Sequence, residues 1–184
     1  MNDMNGEPLK KHIMDTVKEW QMKIGYRPES MKLYYPAVSL AELLDLPEDA
    51  GKEQLQRALL GFAEKEEAFL GKLSFAERED RWELTVPPEG CTWIHENVPD
   101  SPLLTDFIRT ITTPGKTLED VRTCFAHYAL PGHPLQEADH VHDGMGRVFF
   151  YEGGQPDEYV YCVEEDDFGL TYHRFTMEDY KKII

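Results

Sequence analysis

Apolar residues near the N-terminus recur at three- and four-residue steps: Leu9, Ile13, Val17, Trp20 and Ile24. That spacing predicts one amphipathic helix whose apolar stripe faces a core. Pro8 suits its first turn, where the missing N–H would be unpaired anyway, and Gly25 suits its end. A short second helix is expected from Ser39, with Glu42 completing a capping box, stopping before Pro47. The third is expected from about Lys52 to Leu70. It carries Leu55, Leu59, Phe62 and Phe69 on one side and Glu64-Lys65-Glu66-Glu67 as a solvated face.

The period then changes from helix to strand. Leu73 and Phe75, followed by Trp82, Leu84 and Val86, alternate with polar residues around Arg78-Glu79-Asp80. This predicts a two-stranded hairpin, closed by Pro87-Pro88. Helical spacing returns with Leu103, Leu104, Phe107, Ile108 and Ile111, and again with Leu118, Val121, Phe125 and Tyr128. Thr117 is the expected cap of the latter, with Asp120 at the third position.

From Arg147 onward three aromatic and β-branched runs read as strands: Val148–Tyr151, Tyr159–Val163 and Leu170–Phe175. Gly153-Gly154-Gln155-Pro156 and Asp166-Asp167-Phe168-Gly169 supply the turns. Connections this short predict an antiparallel meander. A last short helix is expected from Met177 to Lys182 with Thr176 as its cap. Helices first and strands clustered later predict an α+β fold: a helical N-terminal part, a middle β-hairpin, and a C-terminal antiparallel meander packed with helices. With no repeat and no low-complexity linker, residues 1–184 are expected to form a single domain.

Composition narrows the function classes. A chain of 184 residues with 41% hydrophobic positions has enough length to bury a core, about 70% of its unfolded surface. Acidic residues outnumber basic ones 35 to 19, for a formal charge of −16. Such a surface repels phosphate backbones, so nucleic acid is not expected as a partner, whereas a basic protein, a small cationic molecule or a divalent metal would be attracted. Three separated cysteines without a Cys-x-x-Cys pair suit reduced thiols and a cytoplasmic setting. No signal peptide is visible at the N-terminus, and no run of 18 apolar residues exists, so no membrane partner is expected.

The densest candidate chemistry lies between residues 127 and 142, where four of the seven histidines fall. His140 and His142 are two apart, so on an extended segment both rings share one face. With Asp139 or Asp143 adding oxygen, and His127 and His133 folding back, a divalent metal with an open position could activate water. The opposing expectation is a polar loop of surface histidines. Cys124 and His127 share helical spacing, but no second pair completes a tetrahedral set. Asp167-Phe168-Gly169 spells a kinase motif without its companion loops and reads as a turn. Tyr26, Tyr34, Tyr35, Trp82 and Trp93 are candidates to line a ligand groove, and equally to fill a core.

The stretch from Gly146-Arg147-Val148-Phe149-Phe150-Tyr151 to Tyr172-His173-Arg174-Phe175, behind an acidic helical N-terminal part, resembles an uncharacterised bacterial domain-of-unknown-function family. The resemblance covers most of the chain and implies no activity. With no competent catalytic set, the expected function is a non-catalytic acidic binding or interaction protein, such as an inhibitor- or immunity-type protein that masks a basic partner. The alternative is a small metal-dependent hydrolase built on the cluster from His127 to His142.

Overall fold

A computed structural model describes residues 6–139 and 146–183. It has the α+β architecture expected, with two antiparallel sheets. The chain divides into two compact units, residues 1–100 and 101–184.

In the first unit, α1 (Glu7–Ile24) leads through a loop into β1 (Met31–Pro36), then α2 (Ala37–Leu43) and α3 (Lys52–Leu70). A hairpin of β2 (Ser74–Arg78) and β3 (Arg81–Val86) follows, and then α4 (Pro88–Asn97). The hairpin matches the alternation read from Phe75 to Val86. It is not alone, because β1 adds to it antiparallel, giving the order β1-β3-β2 with Leu33 opposite Leu84. Glu83 on β3 ties the sheet together by meeting Arg78 of β2 and Lys32 of β1, both at 3.3 Å. The Arg78 hydrogen bond, helped by Lys32, holds the Glu83 carboxyl below its ordinary pKa.

The core of this unit joins Leu9, Ile13 and Val17 of α1 to Leu33 and Tyr35 of β1, Leu55, Leu59 and Phe62 of α3, and Ile94 of α4. α4 comes unusually close to the end of α3. A Cβ built on Gly90 would lie 2.1 Å from the Leu70 carbonyl oxygen, so only glycine allows this approach.

Three expectations need correcting here. Trp20 and Ile24 are 43% and 58% exposed, because the buried face of α1 continues from Val17 through Lys18 and Gln21 instead. α2 begins at Ala37 after Pro36, and Ser39 lies buried inside it rather than capping it. Glu66 is not solvated. Its side chain is 2% exposed and meets Lys10 at 2.9 Å, because Lys10 on α1 stands opposite this turn of α3 and brings a charge into the interface.

The second unit begins with α5 (Pro102–Thr112), capped by Ser101, whose hydroxyl accepts from the Leu104 N–H. α6 (Leu118–Tyr128) has the Thr117/Asp120 capping box expected from sequence. A sheet in the order β4-β5-β6-β7 follows: Leu135–Asp139, Gly146–Tyr151, Val160–Asp166 and Gly169–Phe175. α7 (Met177–Ile183) closes the unit, with the Asp179 N–H donating to Thr176 Oγ1.

Both faces of this sheet are covered, which explains why its strands read as continuous apolar runs. Phe149, Tyr151 and Tyr161 join Phe107 of α5 and Phe125 of α6 in an aromatic cluster with ring centroids 5.0 to 6.1 Å apart. Val148, Val160 and Cys162 point the other way and pack with Tyr180 of α7. β4 escaped the sequence reading because Leu135-Gln136-Glu137-Ala138-Asp139 carries two carboxylates and no β-branched residue.

Candidate functional site

The first unit carries a groove of about 530 Å³ between α1 and β1. All five residues from Met31 to Tyr35 line it. Successive side chains of a strand point to opposite faces, so a groove touching five in a row follows the strand's edge. β1 is an edge strand of its sheet, paired on one side only with β3, and the groove follows its five residues.

The backbone fits this placement. The two-residue turn makes Arg78 and Arg81 a mutually hydrogen-bonded pair, so Trp82, Leu84 and Val86 turn their backbone groups to β1, where they meet Tyr35, Leu33 and Met31. Backbone groups alternate sides along an antiparallel strand, so Lys32 and Tyr34 turn their N–H and C=O to the unpaired edge, and Pro36, with no N–H to give the ladder, falls in the same set. Beyond the ladder with β3, no backbone hydrogen bond of residues 32–35 is found among the described residues.

Gln21 of α1 forms part of the floor. Its Nε2 donates to the Cys91 carbonyl at 2.9 Å, which fixes the amide's orientation. The other end, Oε1, is then buried with no hydrogen-bond partner among the described residues. Leaving such an acceptor unmade costs about 1–3 kcal/mol. Trp20, Ile24 and Tyr34 stand exposed along the mouth. One end is bridged by His12 and Tyr35, whose Nδ1 and hydroxyl lie 2.8 Å apart. At the other, Tyr26 stacks on His95 with centroids 4.0 Å apart and its hydroxyl meets Thr92 at 2.6 Å, tying the loop before β1 to α4.

The thiol and the buried phenol of the groove are not activated as nucleophiles. Burial pushes the Cys91 thiol up to about 11, and the Tyr35 hydroxyl is also raised by burial. A thiol held protonated at neutral pH is a weak nucleophile. The other polar groups of the lining include His12, Arg27, Glu29 and Lys32.

Of the sequence-derived aromatic candidates, Tyr34 and Tyr35 line this groove. Trp82 is buried in the core, and Trp93 packs edge-on against Phe69 at 5.5 Å. His12, Trp20 and Gln21 were not singled out as site residues. The available signal was a glutamine one helical turn after Val17, in line with an otherwise apolar stripe.

The histidine-rich candidates lie in the second unit. His127 is exposed on α6, its ring edge-on to Tyr128. His133 lies in the turn before β4, with Nδ1 2.8 Å from the Glu152 carbonyl oxygen. Asp139 ends β4 and pairs with Arg147. His140, His142 and Asp143 lie outside the described residues. Among the described residues no group of three or more His, Cys, Asp or Glu is placed to hold a metal ion. Cys124 sits half-buried beside His127, and burial pushes its thiol up to about 11.

What stands beside Asp139 is an ion network. Glu137 accepts from Arg122 at 2.6 and 2.8 Å and from Arg147 at 2.9 Å. Arg122 also meets Glu119. The Arg122 hydrogen bonds, then those of Arg147, hold the Glu137 carboxyl down at about 2. Its contribution is therefore complete above the ordinary value of 4.5 and drains away as the pH falls towards 2. Glu137→Gln is expected to cost about 2 kcal/mol at neutral pH. Denaturant titrations of both proteins across the acid range check this. Parallel stability curves would show that Glu137 is not held by charge.

The fold thus defines an α+β protein with a groove along strand β1 of its smaller sheet. Residues 6–184 match the family model described as "Domain of unknown function, E. rectale Gene description (DUF3877)", and the chain belongs to that family. No curated protein and no solved structure matches the chain. No described helix is long and apolar enough to cross a membrane.

Proposed function

We propose that the protein is a non-catalytic binding module and that the groove along β1 is its recognition surface. One observation carries this reading: a groove of about 530 Å³ follows an unpaired strand edge and has a buried, partnerless amide oxygen in its floor. Ligand sites commonly combine apolar walls with a few polar groups in a volume of about 300–1,000 Å³. The unmet hydrogen-bonding capacity gives an incoming ligand something to satisfy, and the raised Cys91 thiol gives it nothing to react with.

The test is a screen of small molecules and short peptides by protein-observed NMR. Ligands are expected to shift the Lys32 and Tyr34 backbone amides and the Gln21 side-chain amide. The shifts should vanish in a Trp20→Ala/Tyr34→Ala protein, whose replaced residues are exposed and leave the core intact. Ligands whose shifts map elsewhere, or persist in that double variant, would overturn the assignment.

A further inference from the structure

Resting on the binding reading above, we infer that the occupant of the groove is an extended peptide of a partner protein, which adds to the edge of β1 as a fourth strand. A row of backbone groups at strand spacing is complementary to another peptide backbone, and strand addition is a common way to recognise one. Five residues of β1 offer about 16 Å of edge, room for a stretch of four or five residues.

The side chains around the edge specify the peptide's pattern. Leu33 and Tyr35 point to the buried face, on the side of α1. Lys32 and Tyr34 point to the open face. An added strand therefore turns alternate residues towards Trp20 and Ile24, which favour apolar partners, and the others towards Tyr34 and Lys32, which favour polar ones. Gln21 Oε1 lies on the α1 side, and a peptide donor reaching it, with a small shift of the floor side chains, removes an unsatisfied acceptor. Arg27 and Glu29 stand on the same rim with opposite charges, so recognition is expected to depend weakly on salt.

The walls also select against a second copy of this chain. Pairing β1 with its own counterpart would bring the partner's α1 along the same edge, into the space that α1 already occupies. A linear segment has no such helix beside it.

The experiment uses the full chain and linear heptapeptides selected on phage, then synthesised with a methyl group on one backbone nitrogen at a time. Binding is expected to fall by about tenfold or more at every second position and to change little between them, since a methyl on an edge-facing nitrogen removes its one N–H donor and crowds the neighbouring strand. Amide exchange at Lys32 and Tyr34 should slow when peptide is bound, and Gln21→Leu should weaken binding several-fold. Tyr34→Ala supplies a second variant that leaves the core untouched. Three results would overturn the inference. Methylation effects without a period of two would exclude strand addition. A groove that answers to small molecules while no peptide is selected would leave the binding reading standing and remove the peptide. A doubled mass in solution with Lys32 and Tyr34 protected in the absence of peptide would show that the edge pairs with itself.

Discussion

Lys10→Met is expected to destabilise the protein by about 3 kcal/mol, and adding Glu66→Leu is expected to recover most of that loss. The Lys10 ammonium stands 2.9 Å from Glu66 Oε2, with side-chain exposures of 19% and 2%. That oxygen has no aligned hydrogen bond among the described residues, so the attraction is essentially Coulombic. Lys10 also lies over the Phe69 ring, 4.4 Å from its centroid. Removing the cation strands a carboxylate in an apolar interface between α1 and α3. Removing both replaces two desolvated charges with hydrocarbon of similar volume, which is often neutral or better. Chemical denaturation of the two single variants and the double variant closes the cycle. A loss below about 1 kcal/mol for Lys10→Met, or a double variant no better than the single, would show that Glu66 reaches water.

Phe125→Ala is expected to cost about 4 kcal/mol, the larger of the two effects. The ring is fully buried and stacks on Phe149 at 5.3 Å with 5° between planes, with Phe107 and Tyr161 at 5.0 and 5.1 Å. Four large rings converge on one position, so the void left by truncation has stiff walls and cannot collapse cheaply. The Tyr151 hydroxyl donates to the Phe125 carbonyl at 2.6 Å and further fixes α6 against the sheet. Phe125→Leu keeps more of the volume and should cost about 1.5 kcal/mol. Equal losses for the two variants, read from denaturant midpoints at constant slope, would argue that cavity size does not govern this core.

Much of the fold was legible because its signals are local. α3 spans Lys52–Leu70 as the apolar spacing indicated, and the Thr117/Asp120 box and the Thr176 cap sit where their side chains predict. Three elements were missed for reasons of tertiary context. β1 contains Tyr34-Tyr35-Pro36 beside exposed Lys32 and becomes a strand through its pairing with β3. α4 begins Pro88-Glu89-Gly90-Cys91, a poor helix former held by packing of Gly90 on α3. β4 is held by its ladder to β5 and by the arginines around Glu137.

The candidate site was less legible, and the errors around it are informative. The α1 stripe holds for Leu9, Ile13 and Val17 and fails at Trp20 and Ile24, where the helix borders the groove. A stripe that continues in sequence while its burial stops marks apolar surface left uncovered. Gln21 is the converse, a polar group in a buried position. Periodicity could not show that its oxygen lacks a partner, because that depends on Cys91, 70 positions away. The histidine cluster drew attention by density alone. Of its members, His133 and Asp139 engage the Glu152 carbonyl and Arg147.

The contact at Gly90 has a consequence for how the groove works. The next residue, Cys91, supplies the carbonyl that orients Gln21, and its sulfur lies 3.9 Å from the Val86 carbonyl oxygen at the end of β3. Because helix and carbonyl touch with no room for a methyl, that backbone cannot slide, and the cleft's base is cast by the interior. On the proposed binding reading, capture should then leave the backbone of the base in place, with adjustment confined to the guest, the rim and the floor side chains over Gln21.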